Sequence, residues 1–399
     1  MTSVRRLTLT QLADRALIGA SVALPVVVAF SNALAEITST VLIVWLIVCL
    51  VLDRGRLPSG GVFTCLVAVW LVACFISAAS ASEPSPAFRT FLRKTVQYAA
   101  VALAMSFVGR DERRLRLILK TLAWAGIVFS IDGLVQWKFG HDLLRWREPW
   151  ASRLTGPMGN PNNFATYLVM VMPIQLWLVF GGAKRWQAMV MLLGILASIL
   201  PIILTDSRMA WLVFAVNLMA FAVLAKRVAL LAYPVILGIG LLLSGHLPSL
   251  QGLFDLSPGR AEGWTVAWRM FLDHPIVGIG HGSYMAHYME YLPSLAGTWP
   301  RPQYAHNCYL QLLAEGGVLG LGAFMLLVGW VLQRAWRRLL RPPTRMISPL
   351  IGLAVSLVAF LVSIVFDTGL YSLPIASLFW SLLGLTVGSA ATARTAATS

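Results

Sequence analysis

His306 is the side chain whose type and place in this sequence best fit proton transfer. It directly precedes a hydrophobic helical run, Asn307 to Gly317. A neutral imidazole at a water–lipid boundary accepts a proton from a hydroxyl near neutral pH. Capping or packing is the plainer alternative for a lone histidine. The second chemistry is cationic. Guanidinium stays charged and grips phosphate oxygens in pairs, and three arginines are placed to use this. Arg208 follows the very short turn Leu204-Thr205-Asp206-Ser207, which holds it near the membrane boundary. An ionisable group there is a functional candidate by default; an ion pair with Asp206 is the alternative. Arg260 stands in the first turn of a Trp-studded amphipathic segment, Arg260 to Leu272. Arg153 opens a Gly-, Pro- and Asn-rich stretch reaching Asn163, whose Asn side chains and free amides suit a polar ligand. In the alternative, that stretch merely caps the next helix through Asn162 or Asn163. For each arginine, interfacial snorkelling competes with ligand binding, and convergence on one vestibule would decide between them.

Other chemistries are missing. There is no HExxH, no paired-histidine spacing, no GxSxG and no Walker motif. Acidic residues on the arginine side are scattered, Asp367 among them, and no Asp-x-Asp occurs. No metal site and no cofactor is therefore expected, and arginines must neutralise any phosphate. Gly278-Ile279-Gly280-His281-Gly282 lacks the dinucleotide-binding spacing and reads as a flexible, close-packing turn. Cys49, Cys65, Cys74 and Cys308 form no CxxC and no disulfide framework. Glu315 lies nine residues after His306, about 180° around an ideal helix. It is expected to pair inside the bundle instead of relaying to His306.

The elements that must position these groups are membrane helices. The chain is 58% hydrophobic and 12% charged, against about 25% charged in soluble domains. Apolar runs centre near Ala23, Leu46, Val69, Val101, Val128, Met170, Leu193, Val216, Leu237, Met325, Leu357 and Phe379. With about 20 residues needed per span and no strand alternation, an all-α integral membrane protein of about twelve transmembrane helices is expected. Residues 1–399 then form a single polytopic domain, interrupted between spans nine and ten by a large loop, 245–306, with amphipathic helices. Of 31 cations, 20 fall in loops on the side of the N-terminus, including Arg5, Arg6, Arg15 and the cluster Arg110 to Lys120. The positive-inside tendency puts that side and both termini in the cytoplasm. It puts His306 and the three arginines on the outer face. The net charge of +15 is accounted for by these loops, which argues against nucleic acid as a partner.

In this setting several fragments together resemble the bacterial O-antigen ligase family, part of a superfamily with O-antigen polymerases and O-oligosaccharyltransferases. They are Arg153 with Gly156 and Asn160-Pro161-Asn162, then Ser207-Arg208, then Gly259-Arg260 with Trp264. His274-Pro275-Ile276-Val277-Gly278-Ile279-Gly280, Ala305-His306-Asn307, Leu310 and Glu315-Gly316-Gly317 complete the set. His281 stands where the family often has another residue. The resemblance implies a metal-independent, inverting glycosyltransferase of the GT-C type in the bacterial inner membrane, with its active site on the periplasmic side. It implies transfer of O-antigen glycan from undecaprenyl pyrophosphate, the donor, to lipid A–core oligosaccharide, the acceptor, in lipopolysaccharide biosynthesis. His306 would be the general base, and Arg208 and Arg260 would bind the pyrophosphate. Arg153, Asn160, Asn162, Trp264 and Asn307 would contact substrate. An O-antigen polymerase or O-oligosaccharyltransferase is the near alternative, and a transporter of an anionic lipid the distant one. A transporter would use intramembrane charges such as Asp132 and Glu315.

Overall fold

The computed structural model describes residues 9–29, 31–52, 61–181, 183–227, 258–292, 304–340 and 347–392. Where lipid replaces water, a lone segment satisfies its backbone amides only as a helix. Accordingly the described residues form fourteen α-helices and no strand, with one isolated bridge between Trp150 and Arg153. They are α1 (Leu9–Val27), α2 (Asn32–Leu52), α3 (Val62–Ala79), α4 (Pro84–Thr90), α5 (Val96–Val108), α6 (Glu112–Phe139) and α7 (Pro161–Phe180). Then follow α8 (Arg185–Leu204), α9 (Arg208–Leu224), α10 (Pro258–Asp273), α11 (Tyr284–His287), α12 (Cys308–Leu339), α13 (Pro349–Ser363) and α14 (Leu373–Thr392). Six of these, α3, α6, α7, α8, α12 and α14, are long and apolar enough to cross a membrane. Shorter apolar helices occur in α2, α9 and α13. Eleven of the twelve expected centres fall within helices; the one near Leu237 lies outside the described residues, as do 245–257 and 293–303 of the long loop.

α7 and α14 are the most buried, and α3 and α8 keep exposed outer faces. α14 runs close along α5 because glycines meet backbone there. A Cβ on Gly384 would lie 2.3 Å from the Ala102 carbonyl oxygen, and one on Gly388 2.6 Å from that of Ser106. Small residues let membrane helices approach in this way. α13 is tied to α7 by the Ser356 hydroxyl, which donates to the Met170 carbonyl at 2.6 Å.

Two local details differ from the sequence reading. The N-cap of α7 is Asn160, whose Oδ1 accepts from the Asn163 amide at 3.0 Å. Asn162 and Asn163 sit inside the first turn, because Pro161 with its fixed φ takes the first helical position. α12 is also not one continuous helix. Gly317 has φ 59° and ψ −161°, a conformation open mainly to glycine. The loop after α10 fills this break. The Val318 and Leu319 amides donate to the Pro275 and Ile276 carbonyls, and Ile279 and Gly280 donate to the Ala314 and Glu315 carbonyls. Gly278 must be glycine, since a Cβ there would lie 2.3 Å from the Glu315 carbonyl carbon. The glycine run is therefore a fitted joint, close-packed as expected. α10 packs on the first part of α12. Val266, Ala267, Met270, Tyr284, Tyr288 and Ala314 form a small core there, separate from the main one.

Candidate active site

Three short connections converge at one mouth of the bundle. The first carries Arg153. Gln136 of α6 accepts from the Thr155 and Gly156 amides, both at 2.9 Å. The Leu154 amide donates to the Leu204 carbonyl at the end of α8. Arg153 is thereby pinned beside the α8–α9 turn, donating to the Thr205 carbonyl at 2.7 Å and to Asn162 Oδ1 at 3.0 Å. The second is that turn itself, where Asp206 has φ 50° and Arg208 opens α9. The third is the first turn of α10, which supplies Arg260.

All three arginines line one cavity of about 230 Å³ with Asn162, Asp206 and Asp367. The convergence that sequence spacing could not show is therefore present. Arg153 and Arg260 are held below the usual guanidinium range, first by burial. Asp206 is the next influence on Arg153 and raises it, while Arg260 and Arg208 lower it. On Arg260, Asp367 raises and Arg208 lowers. Arg208 makes no ion pair with Asp206 or any other described carboxylate. Arg260 likewise has none. Arg208 and Arg260 thus face a shared cavity with no carboxylate at ion-pair distance, and Asp367 acts on Arg260 from farther off.

His306 reaches this site through Asp367. Its Nδ1 lies 3.9 Å from Asp367 Oδ1, and the ring is 36% exposed while the carboxylate is nearly covered. That Nδ1 is buried and has no hydrogen-bond partner. His306 itself has φ 51°, a left-handed conformation costing about 1–2 kcal/mol in an L-residue. Such strain persists where surrounding structure imposes it. The constraint is visible next door. Asn307 caps α12, its Oδ1 accepting from the Tyr309 and Leu310 amides at 3.0 and 3.1 Å. The Cys308 amide donates to the Ile364 carbonyl, and its thiol donates to the Asp367 carbonyl at 3.2 Å. These contacts lock the start of α12 against the α13–α14 turn.

Asp367 is the site residue the sequence reading passed over; it figured there only among scattered acids. Its placement between two apolar runs was a signal, because an acid at that depth needs a partner. Of the remaining residues, Asn160 and Asn307 spend their side-chain oxygens on helix caps. Trp264 lies one turn beyond Arg260, outside the lining of the arginine cavity, with its indole Nε1 buried and unpartnered. Glu315 does not touch His306. It accepts from Gln311, Tyr371 and the Gly282 and Tyr284 amides at 2.9–3.3 Å. Asp132 similarly accepts from the Leu143 and Leu144 amides at 2.8 and 3.2 Å. Glu315 is thus filled on both oxygens, while Asp132 holds its loop through Oδ1 and leaves Oδ2 buried without a partner.

No curated protein matches the chain. A family model described as O-Antigen ligase matches residues 193–325, from α8 to the middle of α12, the stretch that holds Arg208, Arg260 and His306. Over that third of its length the chain is therefore similar to the O-antigen ligase family.

Proposed function

We propose that this protein is an O-antigen ligase of the bacterial inner membrane. It moves glycan from undecaprenyl pyrophosphate to the lipid A–core oligosaccharide on the periplasmic face. The observation that carries the reading is the cavity where Arg153, Arg208 and Arg260 meet, with Asp367 linking it to His306. In the reaction an acceptor hydroxyl attacks the anomeric carbon and its proton passes to His306. The bond from that carbon to the pyrophosphate oxygen breaks on the opposite face, so configuration inverts. The leaving pyrophosphate gains negative charge in the transition state, where fixed guanidiniums contribute most. Arg208 and Arg260 supply that field, while Arg153, held by Thr205 and Asn162, sets the cavity edge. The Asp367 carboxylate favours the proton on His306 Nδ1, leaving Nε2 to act as the base. At 3.9 Å the pair is too long for a hydrogen bond in this state, and such contacts tighten when substrate binds. No step requires a metal or cofactor. Both termini lie in the cytoplasm, and twelve spans form a GT-C type scaffold.

Against the transporter reading, Glu315 accepts from four donors and Asp132 Oδ1 holds two loop amides. The test uses purified full-length protein with undecaprenyl-pyrophosphate glycan and rough lipopolysaccharide. Glycan should appear on the lipid A–core, and His306→Ala should lower its formation by about 10²-fold or more. Glycan that lengthens on the undecaprenyl carrier while the core stays bare would make the protein a polymerase instead.

A further inference from the structure

A second cavity, of about 290 Å³, shares no lining residue with the arginine cavity. Thr90, Lys94, Tyr284, Tyr304 and Tyr371 line it, together with Gln311 and Glu315. Its size is near the small end of ligand pockets, roughly 300 Å³, enough for a sugar ring and too small for a lipid tail. Its wall is built around a π-helical turn, Phe91–Thr95, between α4 and α5. Such turns bulge a helix and recur at functional sites. Here the turn carries Lys94 to the cavity. No described carboxylate pairs with Lys94. Glu315, the acid nearest at hand, is occupied by four donors. Gln311 is also spent at both ends, its amide on Glu315 and its oxygen on the Ala305 amide. What remains open to a ligand is one ammonium, the Thr90 hydroxyl oxygen, and the part-exposed rings of Tyr304 and Tyr371. Burial and the Glu315 charge push the Tyr304 phenol up, so it stays a neutral donor.

Aromatic faces beside a few polar groups suit the alternating C–H and O–H surfaces of a pyranose, and a free ammonium adds demand for an anion. Tyr304 precedes His306 by two residues, so their Cα atoms are at most about 7 Å apart. Its ring also packs 5.5 Å from that of Tyr371, on the turn that carries Asp367. We propose that this cavity is a subsite for an anionic sugar, one pyranose ring bearing a carboxylate or phosphate, presented beside His306 as part of the acceptor. The assignment to the acceptor rests on the reading of His306 as base; the sugar binding does not.

The experiment titrates glucuronic acid, glucose 6-phosphate and glucose against the full-length protein in nanodiscs by saturation-transfer NMR. At least one acid should bind about tenfold or more tightly than glucose, as a charge-assisted hydrogen bond provides. Preference for one acid identifies the carboxylate or phosphate as the group recognised. Lys94→Gln should erase the discrimination, and Lys94→Arg should keep most of it. Tyr304→Leu should weaken all three sugars. Equal binding of all three, no binding of any, or discrimination unchanged in Lys94→Gln overturns the proposal. His306→Ala separates the two readings, because it should abolish transfer and leave discrimination intact. Transfer surviving His306→Ala, with discrimination present, sinks the base and leaves the subsite. Discrimination absent, with transfer lost in His306→Ala, sinks the subsite alone.

Discussion

The Glu315 cluster on the first part of α12 and the arginine cavity beside His306 treat buried polarity in opposite ways. Around Glu315 both carboxylate oxygens are filled, by an amide side chain, a phenol and two backbone amides. Around His306 the groups are left open. Its Nδ1 has no hydrogen-bond partner, and Arg208 and Arg260 make no ion pair among the described residues. Desolvated polar groups are costly unless paired. A closed set therefore does structural work, and an open one is complete only with a ligand. Breaking each set should give a different signature.

The largest effect on stability is expected from Glu315→Leu. It strands four buried donors and should cost about 3 kcal/mol or more, seen as a lower Tm in detergent with transfer lost in proportion to unfolded protein. A Tm equal to wild type would mean the cluster is not closed. On the open side, Arg260→Lys keeps the charge and loses the paired geometry. Transfer should drop by about tenfold or more, with Tm nearly unchanged. Full activity would reduce Arg260 to a general positive charge. Between the two, Gly278→Ala drives a Cβ into the Glu315 carbonyl at φ +71° and should destabilise by about 1–3 kcal/mol. Gly322→Ala, with nothing within 4 Å, is the matched control and should be neutral or slightly stabilising. Asn160→Ala removes a helix cap worth about 1 kcal/mol. A transfer loss well beyond that stability change would restore Asn160 as a substrate contact.

A pH dependence is expected as well. Burial, with Lys94 next in order, pushes His281 down from 6.5 to about 4. Its Nε2 lies 2.7 Å from the Thr95 hydroxyl. Below pH 6.5 the unfolded chain takes up this proton and the folded chain does not, so stability falls as pH drops from 6.5 toward 4. Thermal unfolding across that window should show the slope, and His281→Gln should flatten it.

Helices were legible in the sequence because their cause is local: an apolar run of sufficient length must coil in lipid. The capping asparagine of α7 was misplaced by two or three positions because Asn160, Asn162 and Asn163 share one chemistry. Only the rigid φ of Pro161 separates their roles. The arginines were legible as types, and their meeting was not, since Arg153 and Arg260 are joined by no periodicity. Asp367 was hidden for the same reason. Its partner His306 sits in another connection, and the Cys308 contacts that register the two turns have no trace in spacing. The break in α12 at Gly317 was not read from the sequence, and the backbone of residues 275–280 that mends it lies more than thirty residues upstream.

That mended break sets where parts can be exchanged between relatives. The backbone bonds between residues 275–280 and 314–319 tie both sides of the Gly317 break to the loop after α10. A chimera that exchanges this region should therefore cut beyond Leu319 and carry residues 258–319 as one cassette. A cut at His306 would separate two faces of a single joint, and each half would arrive with half its hydrogen bonds.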